Sequence, residues 1–508
     1  MHRCSNPFLR TNPHRTLVLG LLIVFLIGFG CEIRLIQASD DERLPNIVLI
    51  MADDLGYREL GSFGQELIQT PNLDQLAAEG MRLTQHYSGN AVCAPSRCVL
   101  MTGKHPGHAF IRNNRELQPE GQYPIPPSEV TLAERLREQG YATGAFGKWG
   151  LGGPGSEGDP LNQGFDRFFG FNCQRHAHSY YPSYLWSDDE KIELDNDPPV
   201  NGHASMPDDA DPTDPRSYDR FKGTDYGPDR INEQALNFVR ANQERPFFLY
   251  YPTVIPHVAL HVPDEELEPY LALGWNDPSF SKKEGYGYTP HFTPRAAYAA
   301  MITRMDRYMG NLFELLVELD LEENTIVIFT SDNGTTHLKL EVDYDFFESV
   351  GELRGLKGEL YEGGVRVPTI VRWPGRVTPG SESDYVSGFE DWTPTLLDMI
   401  GADAPDAEET DGVSIAPTIL GESQEVRPFL YREFSSYGGQ QSIRVGDWKA
   451  IRTGMGKGNL VIELYDIAKD PGETKDLASE HPEVVARLEA MMAEQHVPSE
   501  LFPLKPLD

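Results

Sequence analysis

The sequence is poor in cysteine, with five among 508 residues, too few to staple a chain of this length into a disulfide framework. It is also short of positive charge. Lys and Arg total 44 against 78 Asp and Glu, a formal net charge of −34. No basic footprint remains for the phosphates of nucleic acid, which excludes that class of partner. An anionic ligand would need its cations gathered in one place against the field of the rest. Long apolar runs are scarce as well, apart from Leu17 to Gly30 behind Arg3, Arg10 and Arg15. At that length the run reads as the core of an export signal rather than a membrane span. Ile36-Gln37-Ala38 offers cleavage after Ala38, giving a signal segment at 1–38. The alternative is a lipoprotein signal ending before Cys31. Either reading makes the protein exported, periplasmic or extracellular. No internal repeat is apparent, and the length allows two or three domains.

What is present is concentrated in Cys93-Ala94-Pro95-Ser96-Arg97-Cys98-Val99-Leu100-Met101-Thr102-Gly103. As local structure this predicts a proline turn running into a helix from near Ser96 to just before Gly103. Of the other cysteines, Cys4 and Cys31 fall in the leader, and Cys98 and Cys173 either pair or stay reduced.

Around this stretch, four largely apolar, strand-like runs each end in chemistry-bearing residues. Residues 46–51 run into Asp53-Asp54, and 141–146 into Gly147-Lys148-Trp149-Gly150. Residues 246–251 lead to Pro256-His257, and 325–330 to Ser331-Asp332-Asn333-Gly334. Such runs mark strands buried on both faces of a parallel sheet, and ligands gather beyond the carboxyl ends of those strands. Two adjacent carboxylates there are either a helix cap, which uses one, or ligands for a hard cation. A lysine in a glycine-rich turn is placed to meet an anion. Helical spacing and end signals appear at 70–80, 128–139, 227–242, 295–320, 390–401 and 481–495. The Asp-, Pro- and Gly-rich stretch 188–226 reads as an insertion loop at the rim of the site. His105, His108, Arg112, Asn113 and Asn114 either border the cleft or form a solvated loop. Beyond about Arg427, short strands at 429–431, 448–451 and 463–466 suggest a small antiparallel sheet.

Cys93-x-Pro-Ser-Arg with Thr102-Gly103 behind it resembles the signature of the type I sulfatases. So, in family order, do Asp53-Asp54, Gly147-Lys148-Trp149, Pro256-His257, Asp332-Asn333 and Gly355-Leu356-Lys357-Gly358. The likeness runs from about Asn46 to about Leu477. It implies the α/β alkaline-phosphatase-like sandwich: a large mixed central sheet flanked by helices, plus a smaller C-terminal antiparallel-sheet subdomain. The catalytic domain would span 45–424 and the subdomain 425–508. The implied reaction is hydrolysis of sulfate monoesters, of sulfated carbohydrates and also aryl sulfates. The implied nucleophile is formylglycine, made from Cys93 by a formylglycine-generating or anaerobic sulfatase-maturating enzyme. Its hydrated aldehyde attacks sulfur and expels sulfate as the aldehyde reforms. By the same resemblance Asp53, Asp54, Asp332 and Asn333 hold a divalent cation, calcium with magnesium as the alternative. Arg97 and Lys148 support nucleophile and metal, while Lys148, His257 and Lys357 surround the sulfate and the leaving oxygen.

One position departs from the pattern: the histidine of the family's Gly-Lys-Trp-His-Leu-Gly is Gly150 here. Arg175, His176 and His178, beside Tyr180 and Tyr181, are expected either to contact substrate or to supply the missing base. His261, near His257, is a weaker candidate for contact with the sulfate and the leaving oxygen. A phosphate or phosphonate ester hydrolase would use the same constellation, and a non-catalytic glycan-binding relative would keep its shape.

Overall fold

The computed structural model describes residues 43–281, 287–406 and 408–508. The expected leader at 1–38, with Cys4 and Cys31, lies outside the described residues. Strand β1 (Asn46–Ala52) is buried along its whole length, and its side chains divide between two cores. Val48, Ile50 and Ala52 enter one; Ile47, Leu49 and Met51 enter the other. A strand with apolar layers on both faces has no polar face to show, which is why its sequence reads as an unbroken run.

Nine further strands extend this sheet: β2 (Met81–Leu83), β3 (Ala142–Lys148), β4 (Arg167–Phe171), β5 (Tyr184–Ser187), β6 (Glu190–Glu193), β7 (Phe247–Pro252), β8 (Thr325–Ser331), β9 (Ile370–Arg372) and β10 (Ser381–Ser383). Their order is β10-β2-β9-β8-β1-β7-β3-β4-β5-β6. Strands β8, β1, β7, β3 and β4 run parallel, and antiparallel partners flank them on both sides. The long helix Pro294–Glu318 packs Met301, Met305, Met309 and Leu312 on one face. The helices Cys93–Thr102, Leu132–Glu138 and Trp392–Met399 cover the other.

The C-terminal part carries a separate antiparallel sheet of four strands, Leu430–Phe434, Gln440–Val445, Trp448–Thr453 and Glu463–Asp466, beside the helix Pro482–Gln495. Residues 44–508 form one compact unit. Cys98 and Cys173 are buried and unpaired.

Two local expectations change. The stretch 188–226 is not wholly a loop: β6 pairs back on β5, and Pro215–Phe221 forms a 3-10 helix. The helix of the cysteine motif begins at Cys93 rather than near Ser96. Its first turn lacks a local cap, but Asn114 Oδ1 reaches in from a loop to accept the N–H of Ala94 at 2.9 Å. Ser96 Oγ accepts the N–H of Gly89 at 3.0 Å. Asn114 thus caps from a distance one of the first-turn N–H groups that no local side chain meets.

Candidate active site

Because β1, β3, β7 and β8 are parallel, their carboxyl ends deliver residues to one edge of the sheet. There the Asp53 N–H donates to the Ile255 carbonyl at 3.1 Å, and the Asp332 N–H to that of Ala52 at 3.0 Å. Asp54 is left-handed (φ 67°) and its N–H donates to Asp332 Oδ1 at 3.2 Å. That turn brings the three carboxylates together.

Arg97 lies one helical turn after Cys93, hence on the same face. Its fully buried guanidinium donates to Asp332 Oδ2 at 2.7 and 3.2 Å, lies 3.4 Å from Asp53 Oδ2 and holds the Lys148 carbonyl. Lys148 Nζ donates to Asp53 Oδ2 at 2.5 Å. Lys357 Nζ donates to the two oxygens of Asp54 at 2.6 and 2.8 Å. Cys93 Sγ sits between them, 3.4 Å from Lys148 Nζ, 3.6 Å from Lys357 Nζ and 3.6 Å from Asp53 Oδ1.

Burial pushes the Cys93 thiol up to about 12, more than the flanking lysines lower it. As a thiol it stays protonated at neutral pH and is a poor nucleophile. Burial would likewise raise Asp53, but Lys148, His257 and Arg97 outweigh it and hold that carboxylate below its usual range. Asp332 is pushed up to about 6 by burial and by Asp53. His257 donates Nδ1–H to the Val258 carbonyl and turns Nε2 to within 3.6 Å of Asp54 Oδ2. Burial and then Lys357 take its imidazole down to about 4, so it is neutral.

Asp53, Asp54, Asp332 and Asn333 form a set of hard oxygen donors suited to a divalent cation. Asn333 tests the fit. Its Nδ2 donates to Asp54 Oδ1 at 2.8 Å and to the Gly334 carbonyl at 2.9 Å. Its buried Oδ1 has no partner among the described residues. An oxygen oriented and left without a donor among the carboxylates suits a cation rather than a hydrogen bond.

The other expected residues separate. His178 joins the site, its ring parallel to that of His257 at 4.8 Å. His176 points elsewhere, 3.4 Å from Glu120 Oε1 and against Tyr184 and Phe171. Arg175 is exposed on the same turn. His261 accepts the Tyr180 N–H at Nδ1 and is buried among tyrosines. His105 and His108 meet Asp411, and Arg112 ties Glu433, so this cluster joins distant segments rather than lining the cleft.

Gly150 is also left-handed (φ 89°), and a Cβ there would come within 2.4 Å of Gln174 Nε2. The amide of Gln174 occupies the space of a side chain at 150, and both its polar atoms are buried without partners among the described residues. Gln174, His203 and Tyr288 are the members that sequence reasoning missed. Tyr288 packs on both His178 and His257, at 5.1 and 5.6 Å between ring centres. None of the three lies in a motif; His203 falls inside the rim stretch 188–226 and Gln174 beside the Arg175–His178 candidates, while nothing in the sequence marked Tyr288.

Comparison with known proteins places this geometry. Residues 45–402 match the family model described as Sulfatase, and residues 356–497 match N-sulphoglucosamine sulphohydrolase, C-terminal. Arylsulfatase A of Homo sapiens is 33% identical over 487 residues, covering 88% of this chain and 87% of its own. N-acetylgalactosamine-6-O-sulfatase of Bacteroides thetaiotaomicron is 29% identical over 540 residues, covering 95% and 98%. Among solved structures, Ps i-CgsB in complex with k-i-k-neocarrahexaose superimposes with a TM-score of 0.71 at 25% identity, over 89% of this chain and 92% of that one.

Proposed function

The chain belongs to the sulfatase family of sulfuric ester hydrolases, and from that premise we propose that it desulfates sulfated carbohydrates with residue 93 as nucleophile. The observation that carries the reading is Cys93 itself, buried between two ammonium groups. Its thiol is too weakly acidic to serve as it stands. Conversion of Cys93 to formylglycine by a maturation enzyme would supply a hydrated aldehyde there. The relatives named above support a carbohydrate substrate, since one is an N-acetylgalactosamine-6-O-sulfatase and another was solved in complex with k-i-k-neocarrahexaose.

Asp53, Asp54, Asp332 and Asn333 would hold the cation, calcium by its preference for flexible oxygen sets, and it would supply positive charge to a sulfate oxygen. The remaining chemistry falls to the chain. Arg97 fixes Asp332 and Asp53 in place by a buried two-pronged contact. Lys148 and Lys357 hold the carboxylates with ammonium groups that also face residue 93, so they are positioned to stabilise charge growing on a sulfuryl group. His257 is neutral and held at Nδ1, so its Nε2 is a lone pair turned towards the reacting group, and the proton for the leaving oxygen falls to the Lys357 ammonium beside residue 93. These three groups are neighbours before substrate arrives, so little reorganisation remains for the transition state.

Export, read from Arg3, Arg10 and Arg15 ahead of Leu17–Gly30, belongs to the same proposal. It would bring the enzyme to polymers outside the cell. Two measurements test the whole: the mass of the residue-93 peptide from the native host, and rates on matched aryl sulfate and aryl phosphate. An unmodified thiol in active protein, or faster phosphate hydrolysis, would overturn the reading.

A further inference from the structure

We infer that His178 accepts a hydrogen bond from a sugar hydroxyl beside the sulfate ester, and that His203 is the positioning residue fixing the required tautomer. The inference rests on the carbohydrate sulfatase reading. It follows from a chain of three groups.

The Gly287 carbonyl can only accept, so His203 Nδ1, 3.0 Å away, carries a proton. With that N–H as the ring's one proton, the state this inference assigns and the nitrogen spectrum below reads directly, His203 Nε2 is a lone pair. That atom lies 2.8 Å from His178 Nδ1, so His178 must donate there. Its own Nε2 is then a lone pair, with no hydrogen-bond partner among the described residues. Burial, helped by the Lys148 ammonium, keeps this ring neutral.

The position gives the lone pair its use. The His178 ring lies parallel to His257, at 4.8 Å and 10°, beside the ring whose Nε2 is turned towards the reacting group. Tyr288 borders both rings. A lone pair there would repel sulfate or ester oxygens and favours an O–H. On a sugar sulfated at a secondary ring carbon, a neighbouring ring carbon can carry such a hydroxyl, whereas the carbon beside a 6-O-sulfate and the ring of a simple aryl sulfate carry none. The two histidines therefore read the alcohol part of the substrate rather than its sulfate.

Histidine tautomers are read from long-range nitrogen–proton correlations on protein labelled at histidine nitrogens, in a Cys93→Ala background that needs no maturation. The expected spectrum shows His178 protonated at Nδ1 in wild-type context and in His203→Gln, whose carbonyl can accept that proton. His203→Ala should lose that preference. In matured enzyme, His203→Ala should lower kcat/KM on a hexose sulfated at a ring carbon beside a free hydroxyl about tenfold more than on 4-nitrophenyl sulfate, mainly through KM, the size of one hydrogen bond to substrate. His203→Gln should recover most of it. Equal losses on both substrates, or His178 protonated at Nε2, would overturn the assignment. Failure of every sulfate ester to turn over would instead sink the sulfatase reading, and the tautomer spectrum would still decide whether His203 sets His178.

Discussion

Removing the ammonium of Lys357 should tighten calcium binding while it slows turnover. Lys357 Nζ contacts both oxygens of Asp54 at 2.6 and 2.8 Å, and these oxygens belong to the set proposed for the cation. Ammonium and metal therefore compete for the same carboxylate. A calcium ion about 2.4 Å from an Asp54 oxygen would sit roughly 5 Å from Nζ. At an effective dielectric of about 20, a single and a double positive charge at that separation repel by roughly 6–7 kcal/mol. The lysine can swing towards the cleft and Asp54 screens it, so only part of this persists. A remainder of about 1.4–2.8 kcal/mol still corresponds to a tenfold to hundredfold change in affinity. The assay is calorimetric calcium titration of metal-stripped protein, comparing Cys93→Ala with Cys93→Ala/Lys357→Ala. In matured enzyme, Lys357→Ala should lose about a hundredfold or more in kcat, as for one preorganised donor at developing charge. General damage to the site would weaken both quantities, so the opposite signs are the signature. Calcium affinity that is unchanged or weaker in Lys357→Ala would refute the competition argument.

Cys93→Ala should abolish turnover and leave the melting temperature nearly unchanged, because the buried thiol makes only weak polar contacts; residual sulfatase activity near wild type would remove residue 93 from the mechanism. Glu59 is fully buried against Tyr298 and the Gly56 N–H, and burial pushes it up to about 7. An acid with a raised folded-state pKa costs stability as pH climbs from about 4.5 to 7, up to roughly 3 kcal/mol. Glu59→Gln should therefore lose less stability than wild type between pH 5 and 7.5 in thermal melts, and parallel curves would contradict this. Gly150→His should not restore the family arrangement: its φ of 89° and the 2.4 Å approach to Gln174 predict a loss of about 1–3 kcal/mol. Denaturant melts should show part of that regained when Gln174→Gly is added.

How far the site could be read from the sequence depended on whether a position was set by a strand or by a meeting of loops. Asp53, Lys148, His257 and Asp332 were legible because each lies at or just beyond the carboxyl end of a strand buried on both faces, and such strands announce themselves as largely apolar runs. Parallel pairing then sends all four to one edge. The strand Gln440–Val445 was not legible because its buried residues include Gln440, Gln441 and Arg444, whose side chains bond backbone and tyrosine rather than pack as hydrocarbon. Strand β6 escaped for the opposite reason: an edge strand of Glu190, Lys191 and Glu193 exposes both faces and shows no alternation. His176 and His178 looked equivalent in the sequence. They lie on a 3-10 helix, where each residue advances about 120°, so positions two apart point about 240° apart. One therefore reaches Glu120 while the other reaches His257. Its partner His203 stands 25 positions away and is itself held by the Gly287 carbonyl, 84 positions further on. No local pattern encodes that chain of contacts. It exists because three loops converge over the carboxyl edge of the sheet, where substrate selectivity is free to vary while the strand-borne residues stay fixed.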